Sequence, residues 1–378
     1  MAGDKQTFTG RHRLNLKLTG PGSEKDTRHH EIALDGAPVH YLPGDALGVI
    51  PHNSPALVER ILAVTGATGD EAVAGATAGT TMPLAQALTE IYNLNTPSRR
   101  LLELLVSRGA THLAPLLEKG NAEQLKHYFN GWNEAHDVLE VLEDHRHIRV
   151  TPQELIQNLR KMLPRLYSIA SSLKAHPGQV DLLIVAVRYP IRGRYREGVC
   201  STWFADRWPE PSPVPMYVQD QQKHFAMPDR PDVPIIMIGP GTGLAPFRAF
   251  IEERRVLDAR GKNWLFFGEQ RRGSDFFYED QLTGYERDGF LRLDTAFSRD
   301  QTAKVYVQHR MLERARDLWA WLEEGAEVFV CGDKERMAAD VDRALHTIVE
   351  TVGGRSAEQA REYVEEMRQT KRYKRDVY

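Results

Sequence analysis

The stretch Ile235-Ile236-Met237-Ile238-Gly239-Pro240-Gly241-Thr242-Gly243-Leu244-Ala245 decides the fold of this chain. An unbroken apolar run reads as a strand buried on both faces, and the glycines that follow it mark a strand-to-helix turn. A helix is expected from about Ala245, along APFRAFIEERRVLDA. Glycines in such a turn let the backbone approach a pyrophosphate, while the helix N-terminus presents free N–H groups and the positive end of its dipole. The spacing is not the usual dinucleotide fingerprint, so a purely structural turn is the competing reading. Working outward, NWLFFG and AEVFVCG read as further strands and KERMAADVDRALHTIVE as an amphipathic helix. Apolar strands alternating with such helices predict a parallel sheet covered on both faces. Gly353-Gly354 stops one helix, and Ser356 with Gln359 forms a capping box for the next.

Upstream the rhythm is different. Residues 11–50 read as short strands, with LNLKL alternating and turns at Asp35-Gly36 and Pro43-Gly44-Asp45. PALVERILAVTG, RRLLELLVSRGA and TPQELIQNLRKML carry apolar residues at helical spacing, which marks a helical insertion over about 54–160. Strand signals return at LYSIA and VDLLIVAVRY, and the proline-rich stretch 209–234 suits a barrel exit and a stiff linker. The expected organisation is a first domain over 1–230, interrupted by the insertion, and an α/β domain over 231–378.

The 378 residues, 41% hydrophobic and 27% charged, describe a globular chain with enough apolar material for real cores. A net charge of −3 gives no reason to expect nucleic acid or an anionic membrane as partner. No long apolar run predicts a membrane span, and MAGDKQTFTG has no apolar signal region. Cys200 and Cys331, the 2 cysteines, stand far apart in sequence, and a reducing cytoplasm fits them best.

Three clusters carry candidate chemistry. Ser298-Arg299 follows the strand-like LDTAF, and Lys304, Tyr306 and Gln308 alternate so as to share one face if the segment is extended. An Arg, a Lys and a hydroxyl suit a phosphomonoester, and Tyr306 can stack on a purine, which favours NADPH over NADH. A solvated basic turn is the plainer reading. Arg165-Leu166-Tyr167-Ser168 offers a cation, an aromatic plane and a hydroxyl to an isoalloxazine and its pyrophosphate; an ordinary barrel strand is the alternative. Gly198-Val199-Cys200-Ser201-Thr202 opens a second helix, STWFADRW, as another pyrophosphate cradle. No metal site is expected: His145 and His147 with Asp144, and His29-His30, read as solvated side chains without further soft ligands.

RLYSIASS, the GVCST turn, IGPGTGLAPFRAF, FSRDQ with KVYVQ, VFVCGD and KRYKRDVY occur in this order, and the chain thereby resembles the diflavin reductase family over about residues 8–378. PGDALGV at 43–49 and the RDVY ending bring it nearest to that family's sulfite-reducing branch. The resemblance implies a ferredoxin–NADP reductase-like module: an antiparallel FAD-binding β-barrel with an α-helical insertion, then an α/β NADP-binding domain with a parallel sheet. It implies FAD contacts from Arg165, Leu166, Tyr167 and Ser168, from Leu183, Ile184, Val185 and Tyr189, and from Gly198, Val199, Cys200 and Ser201. Gly241, Thr242, Ser298, Arg299, Lys304, Tyr306, Gln308 and Asp340 are implied for NADP. Ser168, Cys331 and Asp376 are implied around the nicotinamide, with Tyr378 stacked on the flavin. Cys200 and Trp203-Phe204 are small departures from the family's cradle.

The implied function is NADPH-dependent reduction of FAD, with electrons passed to a protein acceptor: a sulfite reductase haemoprotein, a flavodoxin or a ferredoxin. Such a chain serves electron transport, and in the sulfite-reducing branch cysteine biosynthesis. Full-length family members carry an N-terminal flavodoxin-like FMN domain. Only a handful of residues here precede the first expected strand, so the FAD-to-FMN route is not expected within this sequence. Two other classes compete. A docking or assembly subunit with vestigial redox activity sits poorly with intact binding motifs, and a dehydrogenase of an organic substrate lacks a visible substrate-specific acid or base.

Overall fold

The computed structural model describes residues 7–131, 134–208 and 214–378. They form two compact units, one of residues 7–48, 166–185 and 214–378, the other of residues 49–131, 134–165 and 186–208. The expected linker is only partly within reach, since residues 209–213 lie outside the described ones.

The first unit holds two sheets. Strands β1 (Phe8–Lys17), β2 (Thr27–Ala33), β3 (Ala46–Val49), β4 (Arg165–Ser168), β5 (Gln179–Val185) and β6 (Val214–Gln219) make a six-stranded sheet in the order β4-β3-β6-β1-β2-β5. β1 runs antiparallel to β6 and β2, and β2 antiparallel to β5. β6 corrects the linker expectation. Pro215 is tolerated there because β1 meets this strand through only three residue pairs, Phe8↔Met216 to Gly10↔Val214, after which its partner becomes β2. A short helix, Gln222–Phe225, follows and buries Phe225.

Strands β7 (Ile235–Ile238), β8 (Asn263–Glu269), β9 (Arg292–Phe297), β10 (Glu327–Gly332) and β11 (Tyr373–Val377) form a parallel sheet in the order β9-β8-β7-β10-β11. Every residue of β7 and β8 is buried, as a strand covered on both faces requires. One face packs against Val341, Leu345, Ile348 and Val364 of the helices Met337–Thr351 and Ala357–Gln369. The other meets Phe247, Phe250 and Ile251 of the helix Leu244–Val256. The expected capping box at Ser356 and Gln359 is formed. The basic run Lys371–Arg375 leads into the parallel sheet as β11, in register with β10 from Val328↔Tyr373 to Gly332↔Val377. Tyr373 is 4% exposed and anchors that edge in the core.

The second unit is mainly helical. Helices Pro55–Thr65, Leu84–Glu90, Arg99–Ser107, Val138–Asp144 and Pro152–Asn158 share a core of Ile61, Leu88, Leu101, Leu105, Val141 and Leu155, all essentially solvent-free. Asp137 with Glu140, and Thr151 with Glu154, close two capping boxes, which fixes where the last two helices begin. A hairpin of Arg188–Ile191 and Arg194–Glu197 belongs to this unit. No helix among the described residues is long and apolar enough to cross a membrane.

Three of the four histidines expected in solvent are instead inside. His29 and His30 are buried on β2, His29 within 2.9 Å of the Tyr278 hydroxyl and His30 within 3.0 Å of His12. His145 is buried too, its Nδ1 donating to the Val141 carbonyl at 2.7 Å, whereas His147 is exposed. Each inward-facing ring finds a polar partner, which is what makes its burial tolerable.

Candidate functional site

The glycine turn after β7 sets the geometry of the first unit's site. Gly241–Gly243 form a single tight turn that runs straight into the helix Leu244–Val256. Gly241 has φ +60°, and a Cβ on Gly243 would lie 2.1 Å from the Cys331 carbonyl oxygen. Only glycine lets this turn press against the end of β10, where Cys331 sits.

The parallel register places Cys331 opposite Asp376. The thiol Sγ is 3.9 Å from the Asp376 carboxylate, and Ser168 at the end of β4 donates its hydroxyl to the same oxygen at 2.9 Å. Positions 168, 331 and 376 thus converge from three distant segments. Burial pushes the Asp376 carboxyl up from the ordinary aspartate range, and the Ser168 hydroxyl partly opposes that shift. Burial and the neighbouring Asp376 push the Cys331 thiol well above its usual value, so it remains protonated. Tyr378 is pinned through its backbone, donating N–H to Gly332 O at 3.1 Å and accepting from Lys334 N at 3.2 Å. The residue is 65% exposed, and its hydroxyl lies 3.1 Å from Thr242 Oγ1.

Beside this cluster lies a cleft of about 460 Å³, lined by Ser298, Arg299, Lys304, Tyr306, Gln308 and Asp340 among others. Gly241 also lines it, while Thr242 does not and faces Tyr378 instead. Ser298 and Arg299 are fixed by backbone N–H bonds to Glu269 O at 2.9 Å and Gln270 O at 2.8 Å. Gln308 donates to Asp340 at 3.1 Å. The alternation expected for Lys304, Tyr306 and Gln308 does not exist as an extended face. A helix begins at Val307, after Tyr306 donates its N–H to His309 Nδ1, so Gln308 is helical. The helix turns Val307 into the core and still leaves all three side chains on the cleft.

Lys25 and Glu269 were not anticipated. Lys25, from the β1–β2 loop, reaches the cleft and pairs with the buried Glu269 at 2.5 Å. No local pattern signals this contact, because its partners are 244 positions apart.

The remaining expected residues are spread over both units. Arg165 and Leu166 are exposed on β4, and Tyr167 is half-buried. On β5, Leu183 and Ile184 are 3% and 2% exposed, and Val185 is half-buried. Tyr189 stands exposed on the hairpin of the second unit. In that unit Gly198 caps the short helix Val199–Thr202, which continues as a π-turn over Trp203–Arg207. A Cβ on Gly198 would lie 2.7 Å from Ser201 Oγ, which accepts the Val187 N–H at 3.1 Å. Cys200 is buried beneath this turn.

Both cradles start a helix behind glycine, as phosphate sites do: backbone leaves Gly243 no room for a Cβ, and a Cβ on Gly198 would meet the Ser201 hydroxyl. These features agree with the comparison to known families. The family described as FAD binding domain matches residues 2–203, and the chain belongs to it. A second, described as oxidoreductase NAD-binding domain, matches residues 237–343. The chain is thus an FAD- and pyridine-nucleotide-binding oxidoreductase module with the two-sheet fold of ferredoxin–NADP reductases.

It is 46% identical over 366 residues to the sulfite reductase [NADPH] flavoprotein alpha-component of Bacillus subtilis (strain 168), an alignment covering 96% of this chain and 60% of the relative. The protein of the same name from Vibrio cholerae El Tor is 43% identical over 379 residues, covering 99% and 60%. That of Salmonella typhi is 42% identical over 367 residues, covering 97% and 60%. The chain therefore spans 60% of the length of these curated relatives.

Proposed function

We propose that the chain takes hydride from NADPH onto FAD and hands the electrons to a protein acceptor, in sulfite reduction. The observation that carries this reading is the convergence of Ser168, Cys331 and Asp376 beside the glycine turn. FAD, when bound, supplies the step from a two-electron hydride to single electrons. The chain's own residues supply position and charge. Asp376, held by Ser168, faces positive charge growing on the nicotinamide, and the neutral Cys331 thiol packs without competing for it. Tyr378, the exposed aromatic beside this cluster, would cover the flavin and make way for the nicotinamide. Arg299, Ser298 and Lys304 receive the 2′-phosphate, Tyr306 stacks on the adenine, and Gln308 with Asp340 completes that end. Within the first unit, Tyr167, Ser168 and the β5 residues Leu183 to Val185 would hold FAD.

In this reading residues 1–230 are the FAD-binding part, with the insertion at about 54–160, and residues 231–378 bind NADP. A reducing cytoplasm suits the 2 cysteines, Cys200 and Cys331, both of them buried. The acceptor is a sulfite reductase haemoprotein, as the relatives' names suggest. Reconstitution tests the whole scheme. The purified chain should be yellow, bleach with NADPH, and reduce the haemoprotein faster than flavodoxin or ferredoxin. Failure to bleach sinks the hydride step; bleaching with transfer only to flavodoxin or ferredoxin sinks the choice of acceptor.

A further inference from the structure

Beside the proposed nucleotide cleft, a carboxylate occupies one of the basic residues that line it. Glu24, on the loop between β1 and β2, pairs with the Arg299 guanidinium. The same Glu24 oxygen lies 4.0 Å from Arg271 Nη1, a buried nitrogen that makes no hydrogen bond. Both neighbours of Glu24 are tied down. Ser23 donates to Asp275, while Lys25 pairs with Glu269 at 2.5 Å and donates its N–H to Ser23 Oγ at 3.0 Å. Gly20 adds a backbone bond to Ser274 O at 2.8 Å. The loop therefore delivers the carboxylate to Arg299 by construction. The Glu24 side chain, 57% exposed, remains free to swing into water.

We propose that Glu24 is a specificity-determining residue that competes with the 2′-phosphate for Arg299. This rests on the reading of Arg299 as the 2′-phosphate ligand. The Nη1 end of Arg299 that Glu24 occupies cannot be given to a second anion at the same time. A phosphate, with more charge and more acceptor oxygens, displaces the carboxylate; a ribose hydroxyl does not. Glu24 thereby weakens the hold on 2′-phosphorylated nucleotides alone and speeds their release, while a nucleotide without that phosphate leaves the Glu24–Arg299 pair intact.

Calorimetric titration of the full chain with 2′,5′-ADP and with 5′-ADP tests this. In Glu24→Gln, 2′,5′-ADP should bind about two- to fivefold more tightly, the range of an exposed ion pair, and 5′-ADP should change by less than that. Unchanged or weaker 2′,5′-ADP binding overturns the proposal, as does equal tightening of both nucleotides. Arg299→Ala is the control for the underlying reading. If it leaves 2′,5′-ADP affinity intact, the phosphate assignment itself fails. If it weakens that affinity while Glu24→Gln does not tighten it, only the competition fails.

Discussion

Asp376 is held between two opposing influences. Burial raises its pKa, so that its charged form is reached only above the ordinary aspartate range, while the Ser168 hydroxyl favours that charged form. Hydride donation by NADPH leaves a cationic ring, so the useful state of Asp376 is the carboxylate. Flavin reduction should therefore fall as pH drops, beginning above the range where a solvent-exposed aspartate titrates. Asp376→Asn should slow stopped-flow reduction by about a hundredfold and abolish this acid limb, the scale of one lost preorganised charge. An unchanged pH profile in the variant would place the titrating group elsewhere. Cys331→Ala tests packing instead: reduction should slow by about tenfold, with FAD retained, because a small misplacement of reacting atoms costs that much. The side chains of this cluster were readable as candidates from VFVCGD and RDVY, but their mutual contact was not. Nothing in the local sequence around Ser168 points to a residue 208 positions away.

The glycine turn shows what a single element can reveal. A strand, a turn and a helix are contiguous, so their periodicity is local and the sequence marks them plainly. The crowding around Gly243 is a tertiary fact: its missing Cβ is replaced by the backbone of Cys331. Backbone cannot rotate aside as a side chain can. Gly243→Ala should therefore cost about 1–3 kcal/mol, as overpacking does, and should loosen nucleotide binding as the turn shifts. Thermal unfolding together with NADP⁺ titration checks both; a variant with normal stability and affinity would mean the turn is adaptable. Two other elements escape the sequence for physical reasons. Lys304, Tyr306 and Gln308 alternate, yet burial of Val307 and the start of a helix outweigh that pattern. The β11 run carries no sequence signal for the parallel sheet, and its pairing with β10 accounts for the burial of Tyr373.

At the scale of the whole molecule, acid sensitivity should originate in β2. Burial, then the neighbouring His12, His29 and Arg28, lowers His30 to about 3, so it is neutral in the folded protein. Unfolded, the ring regains a pKa near 6.5, so the unfolded chain binds the extra proton over that interval. The stability His30 lends is thus present above about pH 6.5 and is lost as pH falls towards 3, a change on the order of a few kcal/mol. Denaturant unfolding of wild type and His30→Gln across that range should show a flatter pH dependence in the variant. Parallel curves would assign the acid sensitivity to other groups. The interrupted barrel and the parallel sheet were legible from the sequence, because each leaves a periodic trace. Which buried histidines find partners was not, since that depends on strands meeting across the sheet.

The order of the strands has a further consequence. β1 holds Phe8 against Met216 on β6, so the opening of the sheet waits for a strand made far later. At about 5–20 residues per second, a ribosome leaves that partner missing for roughly ten to forty seconds. The helical core between residues 58 and 159 is complete well before then and draws only on neighbouring sequence. The inserted unit can therefore fold while the β1–β2 pair of its host still waits for β6 along Phe8–Gly10. Chaperones that cover exposed strands would find their longest window there.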